Sequence, residues 1–106
     1  MVKVEVFYSS RCPYCRAARS VVRRVMKRFR KQFEKRFGRR FERRFGWSLE
    51  VEEVNTWTRS GAVRAEEYGI RAVPTIVVNG NGKKKIVGVP REKKLRELIE
   101  KEMEID

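Results

Sequence analysis

Residues 2–29 change their hydrophobic period once, and the only two cysteines of the chain stand at the change. Val2, Val4 and Val6 alternate with Lys3 and Glu5, and Phe7-Tyr8 prolong the run, a period of two that predicts a strand. From Pro13 onward Ala17, Val21, Val22, Val25, Met26 and Phe29 recur at helical spacing, with Arg and Lys between them. Ser9-Ser10 form the turn between the two, and Pro13 suits a first helical turn because its missing N–H would have no partner there. A strand feeding straight into an amphipathic helix begins an α/β arrangement.

The rest of the chain continues the pattern. Leu49–Val54 reads as a second strand, and residues 60–68 as a short helix stopped by Gly69. Thr75–Val78 is a third strand, and Asn79-Gly80-Asn81-Gly82 is a hairpin signal that returns through Lys85-Ile86-Val87. Pro90 opens a last helix with Leu95, Leu98, Ile99 and Met103 on one face. The predicted order is βαβαββα. At 106 residues this is one domain, residues 1–106, with 41% apolar residues to fill a single core. Met1–Glu5 leads directly into the strand pattern, so no signal peptide is expected. The longest apolar run, Ala72–Val78, is too short to cross a membrane. The expectation is a cytoplasmic protein with no transmembrane segment.

Three chemistries compete for "SSRCPYCRAAR" at residues 9–19. A structural zinc site wants about four Cys or His ligands, and the chain offers two Cys and no His, so no metal is expected. A structural staple across so short a loop constrains the unfolded chain by only about 2 kcal/mol. A reversible dithiol fits better. Cys12 precedes the helix and should be accessible, Cys15 lies one turn in, and a helix N-terminus favours a thiolate. Arg11 and Arg16 add positive charge on either side and lower the thiol pKa further.

With these motifs in place, the sequence resembles the thioredoxin superfamily, most closely its small glutaredoxin-like members from archaea. The resemblance runs through "VKVEVFYSSRCPYC", "LEVEEVN" and "EEYGIRAVPTIVVNG" to the terminal helix. It implies a four-stranded mixed sheet with helices on both faces, and a cis Val73–Pro74 bond beside the dithiol. It also implies that Cys12 attacks, that Cys15 resolves the mixed disulfide, and that Pro13, Tyr14, Val73 and Pro74 line the substrate groove. The Val73 backbone would pair with an extended substrate segment. The activity implied is thiol–disulfide exchange without a cofactor beyond the Cys12–Cys15 disulfide itself. The implied partners are disulfide-containing proteins and a dithiol reductant or reductase, and the expected state is a monomer.

The chain departs from the family at three places. Arg11 stands where thioredoxins carry Trp, and Val6 stands where they bury an acid. Gly88-Val89-Pro90-Arg91 replaces the Gly-Gly-acid segment with which glutaredoxins help to hold glutathione. Reduction of protein disulfides is therefore favoured over a glutathione-dependent reaction.

Charge is concentrated in one segment. The net charge is +13, and residues 11–45 alone hold 15 Lys and Arg against Glu34 and Glu42. Phe29, Phe33, Phe37, Phe41 and Phe45 recur every four residues, and "EKRFG" returns eight residues later as "ERRFG", a local duplication of natural or engineered origin. Residues 30–46 thus extend the first helical region. Four-residue steps drift by about 40° each on a helix, so one flat interface cannot take all five rings. Gly38, costing about 1 kcal/mol relative to Ala, is the expected break, with the second half folding back. The extension is read as a solvated basic face whose phenylalanines pack locally, as a surface that binds anionic partners weakly through residues 23–45, or as a self-association patch through Phe41, Phe45 and Trp47. The rival function is a basic binding module on a thioredoxin-like scaffold with an incidental dithiol.

Overall fold

A computed structural model describes residues 2–38, 49–80 and 84–104. Its elements are β1 (Val2–Tyr8), α1 (Cys15–Phe37), β2 (Leu49–Asn55), α2 (Arg59–Glu67), β3 (Thr75–Val78), β4 (Lys85–Val87) and α3 (Glu92–Glu104). They follow the predicted order. The strands form one sheet in the order β2-β1-β3-β4, with β2 parallel to β1 and with β3 antiparallel to both β1 and β4.

The sheet is covered on both faces. Val2, Val4 and Val6 pack with Ala18, Val22, Val25, Met26 and Phe29 of α1 and with Leu95 and Ile99 of α3. On the opposite face Phe7, Val54 and Val77 meet Ala65 of α2, flanked by Tyr68, Ile70 and Val73. The buried stripe of α1 runs through Ala18, while Ala17 is exposed. The helix begins at Cys15, two residues later than the pattern suggested, and Ala18 rather than Ala17 lies four and seven residues before Val22 and Val25, on their face. Likewise α3 begins two residues after the buried Pro90.

Gly38 ends α1. Its φ is 87°, and its N–H reaches the Glu34 carbonyl at 2.8 Å. Phe29 is buried and Phe33 is partly buried against the core, whereas Glu34, Lys35 and Arg36 are exposed. A helix of 23 residues spans about 35 Å, longer than the seven residues of β1 at about 23 Å. Phe41, Phe45, Trp47 and the expected fold-back lie outside the described residues.

The basic helix is not simply solvated. One Arg23 nitrogen lies 2.7 Å from both carboxylate oxygens of Glu53, and Arg19 lies 3.8 Å from the same group. Arg24 and Arg28 hold Glu92 at 2.7 and 3.1 Å, and Arg30 donates to the Leu49 carbonyl at 2.6 Å. These contacts tie α1 to β2 on one side and to α3 on the other.

A second polar group anchors the opposite end of β1. Lys3 and, after it, Arg64 hold the Glu52 carboxyl below its ordinary pKa of 4.5. Lys84 and then Asn79 do the same for Glu102. A depressed native pKa stabilises the fold above the unfolded-state value and loses that contribution as pH falls through the native one. The urea midpoint is therefore expected to be level near neutrality and to fall below pH 4.5. A midpoint that stays constant down to the folded-state pKa values would show that these pairs contribute nothing.

Candidate redox site

The cysteines sit where β1 hands over to α1. The Tyr8 carbonyl at the end of β1 accepts from the Thr56 N–H at 2.8 Å and from its hydroxyl at 3.0 Å, which holds the start of the β2–α2 turn alongside. The chain then folds back through a bond from the Cys12 N–H to the Ser9 carbonyl, and the Cys15 N–H reaches the Cys12 carbonyl, both at 3.4 Å. Cys12 and Cys15 are joined as a disulfide with Cα atoms 5.3 Å apart.

Their burial differs for a helical reason. Cys15 is the first residue of α1 and stands on the same stripe as Ala18 and Val22, so only 1% of it is exposed. Cys12 lies before the helix and is half-buried. No side chain caps α1, and its first turn holds no acid, so its N-terminal partial charge is left unopposed beside the sulfurs.

The fold brings Val73 and Pro74 to this place from 61 residues away. The Cys12 sulfur is 3.7 Å from the Val73 carbonyl oxygen, and the Val73–Pro74 peptide bond is cis. The loop is pinned at both ends: the Gly88 N–H reaches the Pro74 carbonyl at 2.8 Å, and the Thr75 hydroxyl reaches the Ala72 carbonyl at 2.6 Å. Tyr14 is 66% exposed and Pro13 is exposed with it, placing both on the rim. Arg11 and Arg16 are exposed side chains on either side of the pair.

Sequence reading missed Glu5. The alternation of β1 predicted a polar face for it, yet it is only 2% exposed. Tyr68 donates to one carboxylate oxygen at 3.1 Å, and Arg64 lies 3.2 Å from the other. Burial, followed by the Glu5 charge, pushes the Tyr68 hydroxyl above its ordinary pKa. The signal was present in Phe7, which shares the Glu5 face: a large apolar residue there requires a covering layer. Val6 occupies the neighbouring position on the other face, fully buried in the apolar core.

The likeness to known proteins follows the same boundaries. Residues 2–100 match the family model described as a thioredoxin domain. A thioredoxin of Methanocaldococcus jannaschii is 35% identical over 102 residues, covering 96% of both chains. A probable thioredoxin of Archaeoglobus fulgidus is 37% identical, over 95% of this chain and 89% of the other. Among solved structures, a mutant thioredoxin from Halobacterium salinarum superposes with a TM-score of 0.65 at 23% identity, covering 99% of this chain and 77% of that one. The oxidised mitochondrial thioredoxin 3 of Saccharomyces cerevisiae gives 0.63 at 17% identity, over 94% and 77% of the chains. Those two structures share the fold, and the archaeal sequences carry the relationship further. With a cysteine pair able to close as a disulfide at the head of α1, this chain belongs to the thioredoxin family and is a thiol–disulfide oxidoreductase.

Proposed function

We propose that the chain reduces protein disulfides, with Cys12 as nucleophile and Cys15 as resolving thiol. The supporting observation is the asymmetry of the pair: a half-buried Cys12 beside the Val73 carbonyl and a Cys15 sealed beneath it. In the reduced protein the Cys12 thiolate, favoured by the helix terminus and by Arg11 and Arg16, attacks one sulfur of the substrate. The substrate disulfide breaks, its other sulfur leaves as a thiolate and takes a proton, and a mixed disulfide forms. Cys15, deprotonated, attacks the Cys12 sulfur, releases the second substrate thiol, and closes the Cys12–Cys15 disulfide. Two electrons pass to the substrate, and a dithiol reductant or a reductase restores them. Pro13 and Tyr14 form the rim, while Pro74 and the Val73 backbone guide an extended segment into place. The site of action on this reading is the cytoplasm, and no cofactor enters.

The test is reduction of insulin disulfides with dithiothreitol as electron source. The wild-type chain should accelerate it well beyond the Cys12→Ser/Cys15→Ser double variant, and equal rates for the two would overturn the proposal.

A second reading adds weak polyanion binding by α1. Lys27, Lys31 and Lys35 form one exposed stripe without a carboxylate partner among the described residues. Arg19, Arg23, Arg24 and Arg28 are committed to Glu53 and Glu92, which leaves the helix less cationic than its composition suggests. Retention on heparin is expected to be modest and to fall with salt as counterions are released. Salt-independent retention would rule this reading out.

A further inference from the structure

Every helix among the described residues starts at the end of the sheet that carries the disulfide. β1 and β2 run parallel, β3 is antiparallel to β1, and β4 is antiparallel to β3, so the C-terminal ends of β1, β2 and β4 share one edge. α1, α2 and α3 follow those three strands. Their positive termini therefore face the same way as the redox pair.

The side chains at that edge add to this field. The connecting segments 9–14, 56–58 and 88–91, and residues 71–74 that lead into β3, contain no Asp, Glu or Lys, and they contain Arg11, Arg71 and Arg91. Arg16 and Arg59 stand in the first turns of α1 and α2. All five arginines are exposed, and none has an ion-pair partner among the described residues. Glu53 and Glu92, at β2 and at the start of α3, do not offset them, because each is already held by two arginines of α1. Between the arginines stand exposed apolar groups: Tyr14, Val89 and a 59% exposed Trp57. The backbone that carries Trp57 is fixed, since its N–H is bonded to the Asn55 side chain at 3.0 Å and the next N–H to the Asn55 carbonyl at 3.1 Å.

We infer that this edge is a docking surface for acidic polypeptides, so that the disulfides reduced best are those flanked by Asp and Glu. This rests on the protein-disulfide reading above and names its substrate class. Charge complementarity supplies the argument. Arginine presents a planar fork that binds a carboxylate through two parallel N–H bonds, and a rigid aromatic ring supplies an anchor between such pairs. A field of one sign around a reactive centre also speeds encounter with the opposite sign, and salt screens that gain.

The experiment is single-turnover oxidation of the reduced chain by three peptides with one intramolecular disulfide each, differing only in acidic, neutral or basic flanks. Alkylation of the remaining thiols after acid quench reads the rate. The acidic peptide is expected to react at least about tenfold faster than the basic one at low salt, with the gap closing at high salt. Arg59→Glu/Arg71→Glu should narrow or invert that ratio, which is internal to each protein and so does not depend on how much of the variant is folded. Equal rates for all three peptides, or a ratio unchanged in the double variant, would overturn the inference. Failure of every peptide to react would instead overturn the protein-disulfide reading beneath it.

Discussion

The Cys15→Ser protein, reduced and mixed with an oxidised protein substrate, should accumulate as a covalent adduct through Cys12. Cys12→Ser should form none. The reason, on the proposed roles, is burial: the half-buried Cys12 is to meet the substrate first, and the Cys15 sulfur, 1% exposed, is to release the product. Removing the resolving thiol stops the cycle after the first bond is made, whereas removing the nucleophile stops it before. Turnover of insulin should drop at least about a thousandfold in either variant, as is usual when one member of a catalytic unit is lost. Non-reducing electrophoresis with mass spectrometry of the adduct distinguishes the two. Adducts formed equally through Cys15 in the Cys12→Ser protein would reverse the assigned roles.

The largest expected loss of stability comes from a residue with no side chain. Gly61 lies in the first turn of α2, and a Cβ there would collide with the Asn55 carbonyl oxygen, lie 2.7 Å from its carbon, and come 2.8 Å from the Thr58 hydroxyl. That hydroxyl caps α2 by accepting from the Gly61 N–H at 3.0 Å, so the helix start is drawn tightly onto the end of β2. Alanine would gain about 1 kcal/mol in helix propensity. The collision is with backbone, which cannot rotate away, and should cost more than the usual 1–3 kcal/mol of overpacking, for a net loss of about 3 kcal/mol. For a chain of this length that lowers Tm by roughly 12–20 °C. A thermal melt of Gly61→Ala at or above the wild-type Tm would show that α2 can shift freely. Because the same turn presents Trp57, a shift there should also weaken substrate docking.

Much of this molecule was legible locally. The strand-to-helix switch at residues 8–15, the hairpin at Asn79-Gly80 and the stop at Gly38 are set by neighbouring residues, because side-chain period and backbone preference act over a few positions. Asn79 and Gly80, where the chain leaves β3, both take positive φ, of 56° and 63°, which Asn and Gly tolerate best. The redox pair was legible for the same reason, being contained within four residues.

What the sequence by itself determined, then, was the order of elements, the placement of Cys12 and Cys15 at a helix start, and the concentration of positive charge in one segment. The tertiary structure alone decided which groups meet. Glu5 is buried because α2 covers the second face of the sheet, and alternation along one strand cannot report what lies above it. Arg19, Arg23, Arg24 and Arg28 of α1 are held by Glu53 and Glu92, and Arg30 by the Leu49 carbonyl, pairings set by strands and helices distant in sequence. Topology likewise gathers Arg11, Arg16, Arg59, Arg71 and Arg91 at one edge, although they are scattered along 81 positions of the chain. Each of these outcomes depends on contacts between segments far apart in the chain, and such contacts exist only once the sheet has set its strand order and direction.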